Sequence, residues 1–293
     1  MNDYHLRYQG YLDIFEEYMQ SYLQKLNTRP EILGESMKYS LLGGGKRIRP
    51  VLALACAEVL GVATEEILPF ALAIEMVHTY SLIHDDLPAM DNDDFRRGQP
   101  TNHKKFGEAN AILAGDGLLN EAYSICFNEC FKGEKYVQAS KLLNEYAGIN
   151  GMIAGQSADI YFSERDAEVN EEELFYVDEH KTGKLLLAPI MAAVILKENK
   201  YYLEFERFGK LLGRLFQMTD DILDVTGDFE ILGKNVGKDE GKNKLTCVRL
   251  YGLEGAKVRA DMCAKDCHAV LECIDGDVSF LHELVDYILN RKN

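Results

Sequence analysis

Apolar residues recur at helical spacing from near the amino terminus onward. Tyr11, Leu12, Phe15, Tyr18, Met19, Tyr22 and Leu26 mark one face of a helix over about 8–26. Pro30 opens a second helix, where its missing N–H costs nothing, and the apolar run continues to Leu41 and Leu42. Gly43, Gly44 and Gly45 then stop the helix and free the backbone to approach a ligand. Pro50 opens the next helix, over 51–60. Residues 65–90 read as one long buried helix carrying Ile74, Val77, Leu82 and Ile83, with Pro88 kinking its end. Further helices are expected over 108–131, 134–161, 170–197, 201–226, 245–273 and 277–291. Gly148, Gly151 and Gly155 fall inside the second of these at spacings of three and four, which would let two helices pack closely. An interior glycine otherwise costs about 1 kcal/mol. No stretch alternates as a strand does, and none repeats, so the expected fold is all-α.

Composition narrows the class. Length alone would suggest about two domains, but no linker or charge shift divides the 293 residues, so one large domain is expected. The net charge of −16 argues against nucleic acid as a partner. It leaves open a small anion held by local cations or metal. Seven cysteines, an odd number, and a polar amino terminus point to reduced thiols in a cytoplasmic protein. Cys263, Cys267, His268 and Cys273 lack the paired spacing of a zinc site. No run approaches the roughly 18 apolar residues of a membrane span, so none is expected.

Two acidic clusters change the picture. The first runs from His84-Asp85-Asp86 through Asp91, Asp93 and Asp94 to Arg96-Arg97-Gly98. The second is Asp220-Asp221-Ile222-Leu223-Asp224. Both end apolar segments, where unpaired carboxylates are costly. A divalent cation is the cheapest common partner, and the arginines suggest an anion bridged to it; magnesium binds through one or two carboxylates plus substrate phosphates. Asp85 and Asp91 are six apart and would point roughly 120° apart on a straight helix, so a shared site requires the last turn to distort. Arg96 and Arg97, as neighbours on a helix, would point about 100° apart and could serve different phosphates. Asp220 and Asp224 share a helix face, and Gln217 sits one turn before Asp221.

Three basic segments accompany them. Lys46, Arg47 and Arg49 follow the glycine turn and form either an anion site or a solvated basic turn. Lys181-Thr182-Gly183 interrupts a helical stretch. Lys234, Lys238, Lys242 and Lys244 lie in a glycine-containing segment that could act as a lid or be a polar loop.

Taken together these motifs resemble the trans-isoprenyl diphosphate synthases, most closely the bacterial-type farnesyl diphosphate synthases, over nearly the whole chain. The carrying residues are Gly45-Lys46-Arg47-Ile48-Arg49-Pro50, the first cluster with Arg96-Arg97, Gly155-Gln156, Lys181-Thr182-Gly183 and Phe216-Gln217 through Asp224. The resemblance implies one polyprenyl synthetase domain over residues 1–293, an antiparallel helical bundle around a deep apolar cavity, and a homodimer. It implies that Asp85, Asp86 and Asp91 hold two magnesium ions on the allylic diphosphate, and that Asp220, with Asp221 and Asp224, holds a third. Arg96 would grip that diphosphate with Lys181 and Lys234, while Gly45, Lys46, Arg49, His78 and Arg97 would bind isopentenyl diphosphate. Thr182, Gln217 and the Lys181 backbone would face the allylic cation. Lys244 matches a late family lysine, but Thr246-Cys247-Val248 departs from the usual Thr-Tyr-Pro. Tyr80, with small Ser81 beside it, would floor the cavity and stop the product at fifteen carbons. A geranylgeranyl diphosphate synthase is the alternative. A non-catalytic partner subunit would be expected to lose motif aspartates, and a terpene cyclase would need no second diphosphate site.

Overall fold

The helix through the centre is apolar on every side, and that alone assigns its place. A helix without a polar face must be surrounded by others. In the computed structural model, which describes residues 3–165, 170–197, 200–226 and 245–291, this helix is α4 (Thr64–Asp85). Ahead of it come α1 (Asp3–Lys25), α2 (Glu31–Leu41) and α3 (Ile48–Leu60). After it come α5 (Asn102–Phe106), α6 (Glu108–Cys130), α7 (Glu134–Ala147), α8 (Met152–Ser163) and α9 (Glu171–Val177). A single π-turn, Asp178–Gly183, joins α9 to α10 (Lys184–Lys197). The last helices are α11 (Tyr202–Thr226), α12 (Cys247–Leu271) and α13 (Ser279–Asn290). α4 packs against α3, α6 and α10, and α11 against α10 and α12. α4 is long and apolar enough to cross a membrane by length and composition, but most of it is buried inside the protein, as a core helix is.

The structure departs from the sequence reading at several points, among them a kink in α12 at Gly252, whose φ of 69° is not helical. α4 ends at Asp85, five residues before the expected end. Pro88 lies beyond the helix and does not kink it, because the residue before a proline avoids helical geometry and the ring has no N–H to continue the ladder. The chain folds back instead: the Asp91 N–H donates to the Asp85 carbonyl at 2.8 Å, and the Asn92 N–H to Leu87 at 3.1 Å. Next comes a short hairpin that the sequence did not announce, β1 (Phe95–Arg96) and β2 (Gln99–Pro100). Its turn is Arg97-Gly98, both at positive φ (53° and 76°), as the tight turn of a two-residue hairpin requires. Arg96 and Arg97 are therefore a strand residue and a turn residue, not helix neighbours.

The helix expected over 134–161 is two helices, α7 and α8, broken at Gly148–Gly151. A Cβ on Gly148 would meet the Asn144 carbonyl, and one on Gly151 the Tyr146 carbonyl, so these glycines permit a tight corner. Only Gly155 serves close packing: a Cβ there would overlap the Lys181 backbone nitrogen. Finally, the Lys181 segment is a π-turn inside a continuous helix and not a break.

Candidate active site

The first acidic cluster separates its aspartates by direction. Asp85, in the last turn of α4, accepts from Gln156 Nε2 of α8 at 2.9 Å. Burial raises its pKa to about 6, opposed by Lys181 and reinforced by Asp91 and Asp86. Asp86 turns the other way and is 3% exposed. The Arg96 guanidinium donates to both of its oxygens at 2.6–2.9 Å, a forked pair that aims Arg96 from the hairpin back at the cluster. Burial raises the Asp86 pKa and Arg96 opposes the rise.

The second cluster sits on α11, where each carboxylate has its own direction. Asp221 is buried: its Oδ1 accepts from Gln217 Nε2 at 2.9 Å and its Oδ2 from the Cys247 N–H at 2.7 Å. It therefore caps the start of α12, whose first N–H groups have no partner within the helix. Burial pushes its pKa up to about 7 despite those bonds. Asp220 faces elsewhere and accepts from Arg291 Nη2 at 2.6 Å. Asp224 is also buried. Among the described residues no three metal-ligating side chains converge on one point. The described carboxylates form no closed cage, which suits a hard cation shared with phosphate oxygens.

The π-turn supplies the groups facing them. One extra residue in the turn projects Lys181 and Thr182 out of the helical register. Lys181 Nζ contacts Asp159 of α8 at 2.5 Å, and the Thr182 hydroxyl donates to Gln217 Oε1 at 2.8 Å. Thr182, Gln217, Asp221 and the Cys247 amide form one connected chain. Two bare backbones hold the turn: Gly155 lies against Lys181, and a Cβ on Gly213 of α11 would overlap Gly183. Asp178, inside the turn, has a pKa raised well above the usual range by burial, then by Asp221 and Asp159.

A basic cavity of about 300 Å³ is lined by Gly45, Lys46, Arg49, His78 and Arg97, with Glu75, Phe216 and Arg291. Gly45 has φ 118°, and a Cβ there would strike the Arg97 guanidinium, which donates to the Gly44 carbonyl. Arg49 is half-buried, desolvation pulls its pKa down to about 10 with Glu75 opposing, and its buried Nε has no partner. Burial and then Arg49 and Arg97 push the His78 pKa well down, so His78 is a neutral donor or acceptor near pH 7. Arg47, read with its neighbours as an anion ligand, is committed elsewhere. It is 3% exposed and bonds Glu75 at 2.8 Å, Glu16 at 2.9 Å and the Leu41 carbonyl at 2.6 Å. Arg47 also borders the cavity, as Lys46 and Arg49 do, but these bonds already occupy its guanidinium.

A second cavity, about 410 Å³, runs beside α4 and is lined by Tyr80, Ser81, Asp85, Met152, Ile153 and Thr182 among others. Arg49 and His78 line both cavities, so a basic pocket and a largely apolar pocket share one wall. The buried Tyr80 hydroxyl has no partner, and its ring meets His84 edge-on at 5.7 Å.

The two joined cavities gather Gly45, Lys46, Arg49, His78, Arg97, Tyr80, Ser81, Asp85, Lys181 and Thr182, whereas Asp86, Asp91, Arg96, Gln217, Asp220, Asp221 and Asp224 line neither. Lys234 and Lys244 lie outside the described residues. Glu75, Gln156, Asp159, Asp178 and Arg291 had no assigned role from sequence. Glu75 had a visible signal, an acid in the apolar middle of a helix. Gln156 stood in a recognised motif without a role, and Arg291 gave no signal at all.

A basic cavity and a largely apolar one that share a wall within an all-α bundle define a class, and comparison agrees with it. The polyprenyl synthetase family model matches residues 30–272, and the chain belongs to that family. It is a prenyltransferase. A farnesyl diphosphate synthase of Micrococcus luteus is 43% identical over 274 residues, 93% of this chain and 94% of that one. A chloroplastic geranylgeranyl pyrophosphate synthase of Capsicum annuum is 44% identical over 269 residues, 90% of this chain and 73% of that one. The Helicobacter pylori geranyltransferase complexed with magnesium and isoprenyl diphosphate superposes with a TM-score of 0.82 at 34% identity, covering 97% and 96% of the two chains.

Proposed function

We propose that this protein condenses isopentenyl diphosphate head to tail with dimethylallyl and then geranyl diphosphate, giving (E,E)-farnesyl diphosphate. The observation that carries this reading is the shared wall: Arg49 and His78 line both the basic cavity and the one beside Asp85. Two diphosphate esters could lie with their reactive carbons close together, which lowers the barrier by positioning.

Magnesium is the metal named with isoprenyl diphosphate in the Helicobacter pylori structure. In our reading Asp85, Asp86 and Asp91 would hold two ions, and Asp220, with Asp221 and Asp224, a third. Bound there, they supply positive charge against the departing diphosphate. Asp85 is the best placed, since Asp86 already holds Arg96, Asp220 holds Arg291 and Asp221 caps α12. Arg96 and Lys181 bind the allylic diphosphate and stabilise the charge that builds on it. Gly45, Lys46, Arg49, His78 and Arg97 bind isopentenyl diphosphate. Thr182 Oγ1 and Gln217 turn oxygen dipoles toward the allylic cation, and the apolar walls exclude water from it. No side chain is placed as an obvious base, so the diphosphate product takes the proton.

The protein acts as a homodimer in this reading. Ile112, Leu113, Phe127 and Phe131 are exposed along and just after α6, with Phe131 92% exposed, and a second copy would cover them. The seven free thiols fit a reducing, cytoplasmic location.

Incubation of pure protein with magnesium and labelled isopentenyl and dimethylallyl diphosphates, followed by sizing of the products, tests the reading. A fifteen-carbon product supports it. A twenty-carbon product establishes the geranylgeranyl reading, which the Capsicum relative favours. Tyr80→Ala should lengthen the product, at a stability cost of about 3–5 kcal/mol. A folded, active variant that still stops at fifteen carbons removes Tyr80 as the floor.

A further inference from the structure

Arg291 caps α13 and is held by one turn of α11. Its Nη2 donates to Asp220 Oδ1 at 2.6 Å, Thr219 Oγ1 at 2.8 Å and the Phe216 carbonyl at 2.9 Å. The guanidinium also lies 4.1 Å from the centre of the Phe216 ring. The side chain is 3% exposed, and its buried Nε has no partner. Arg291 lines the basic cavity with Lys46 and Arg49, and Arg49 Nε lacks a partner too. Burial lowers the Lys46 pKa, and Lys46 also feels both ends of this contact, Arg291 lowering it and Asp220 raising it. Arg291 therefore stands between a carboxylate of the second acidic cluster and the cations that await a diphosphate. The first cluster repeats the arrangement, with Arg96 forked onto Asp86.

We propose that Arg291 is a positioning residue, a resident counter-cation of Asp220, which a divalent cation must displace to gain that carboxylate. The proposal rests on reading Asp220 as a metal ligand. A guanidinium and a divalent ion cannot both sit on one carboxylate without repelling each other. A diphosphate relieves the conflict, because it adds the negative charge that the displaced guanidinium and the incoming cation both need. Metal and diphosphate therefore bind this cluster cooperatively, each weakly alone.

The test is manganese(II) binding to the full chain, followed by the electron paramagnetic resonance of the free ion, with and without inorganic pyrophosphate. Arg291→Gln should raise the metal affinity of the Asp220-dependent site about fivefold without pyrophosphate, the scale of one partly exposed ion pair. It should also shrink the gain that pyrophosphate confers. Arg291→Met, which keeps an apolar stem beside Phe216, should do the same, and Arg291→Lys, which keeps the charge, should behave as the parent. Circular dichroism melting establishes that each variant is folded. Unchanged or weaker manganese binding in both neutral variants overturns the proposal, as does an equal shift in Arg291→Lys. Asp220→Asn separates the two layers. If it removes no manganese site, the reading of Asp220 as a ligand fails. If it removes one while the neutral Arg291 variants shift nothing, only the counter-cation role fails.

Discussion

Arg96 and Arg97 are adjacent in sequence and leave the hairpin in different directions. Arg96 is forked onto the buried Asp86, while Arg97, at the turn, reaches the Gly44 carbonyl above the basic cavity. Their substitutions should differ accordingly. Arg96→Ala should raise the Michaelis constant for the allylic substrate and destabilise the fold by about 2 kcal/mol, because it strands a buried carboxylate. Arg97→Ala should raise the constant for isopentenyl diphosphate with little change in stability. Urea unfolding together with steady-state kinetics on both substrates checks this, and equal effects on both constants would count against separate sites. The sequence reading expected two directions but derived them from helix geometry. The separation comes from a hairpin turn at positive φ, which requires local backbone strain that neither arginine type announces.

At the scale of elements, the π-turn depends on two glycines from other helices. Gly155→Ala would place a methyl group into the Lys181 backbone. Backbone cannot yield as a flexible side chain can, so α8 and the turn must separate. We expect a loss of at least about 2 kcal/mol and a fall in turnover of about a hundredfold or more, since misplacement by about 1 Å costs that much. Calorimetry and single-turnover rates measure the two effects, and a fully active Gly155→Ala would refute this role. The glycine spacing was legible from sequence, but which glycine packs and which two turn a corner was not.

A second element-scale prediction concerns α12 and α13. His268 Nδ1 and His282 Nδ1 lie 2.7 Å apart in nearly parallel rings, and His268 Nε2 contacts Asp286 at 3.0 Å. Only one proton fits between the two Nδ1 atoms. Burial and then His268 lower the His282 pKa, while Glu272 and Asp286 raise it. A folded pKa below the unfolded 6.5 means that the unfolded chain takes up protons first. The stability from this pair is present above about pH 6.5 and is lost as the pH falls toward the lower folded value. Asp85 and Asp221, whose pKa values are raised, contribute in the opposite sense over this window, so the pair shows as a difference: between pH 7.5 and 5.5 the parent should lose melting temperature relative to His282→Gln. A slope identical in parent and variant would show that the pair contributes nothing.

At the scale of the whole molecule, the exposed apolar residues Leu113, Phe127 and Phe131 carry the proposed homodimer. The parent should sediment at twice the chain mass of 33.1 kDa. Phe127→Asp, at an exposed position, should shift it toward the monomer without lowering the stability of the chain itself. A parent that sediments as a monomer at micromolar concentration would remove the dimer from the reading.

What the sequence determined by itself was chemistry and class. Carboxylates in apolar segments, cations at a glycine turn and helical periodicity are properties of residue type and spacing, and they persist whatever the chain's path. The all-α architecture follows from them, because a helix satisfies its backbone internally and shows its buried face in its period. Tertiary structure alone decided direction and partnership. It ended α4 at Asp85, split Asp85 from Asp86, sent Asp221 to cap α12 and turned Arg47 inward to Glu16 and Glu75. It also brought Arg291 to Asp220 across 71 positions of sequence. Such contacts join elements distant in the chain, and their energy depends on how those elements dock. Local spacing carries no record of that docking.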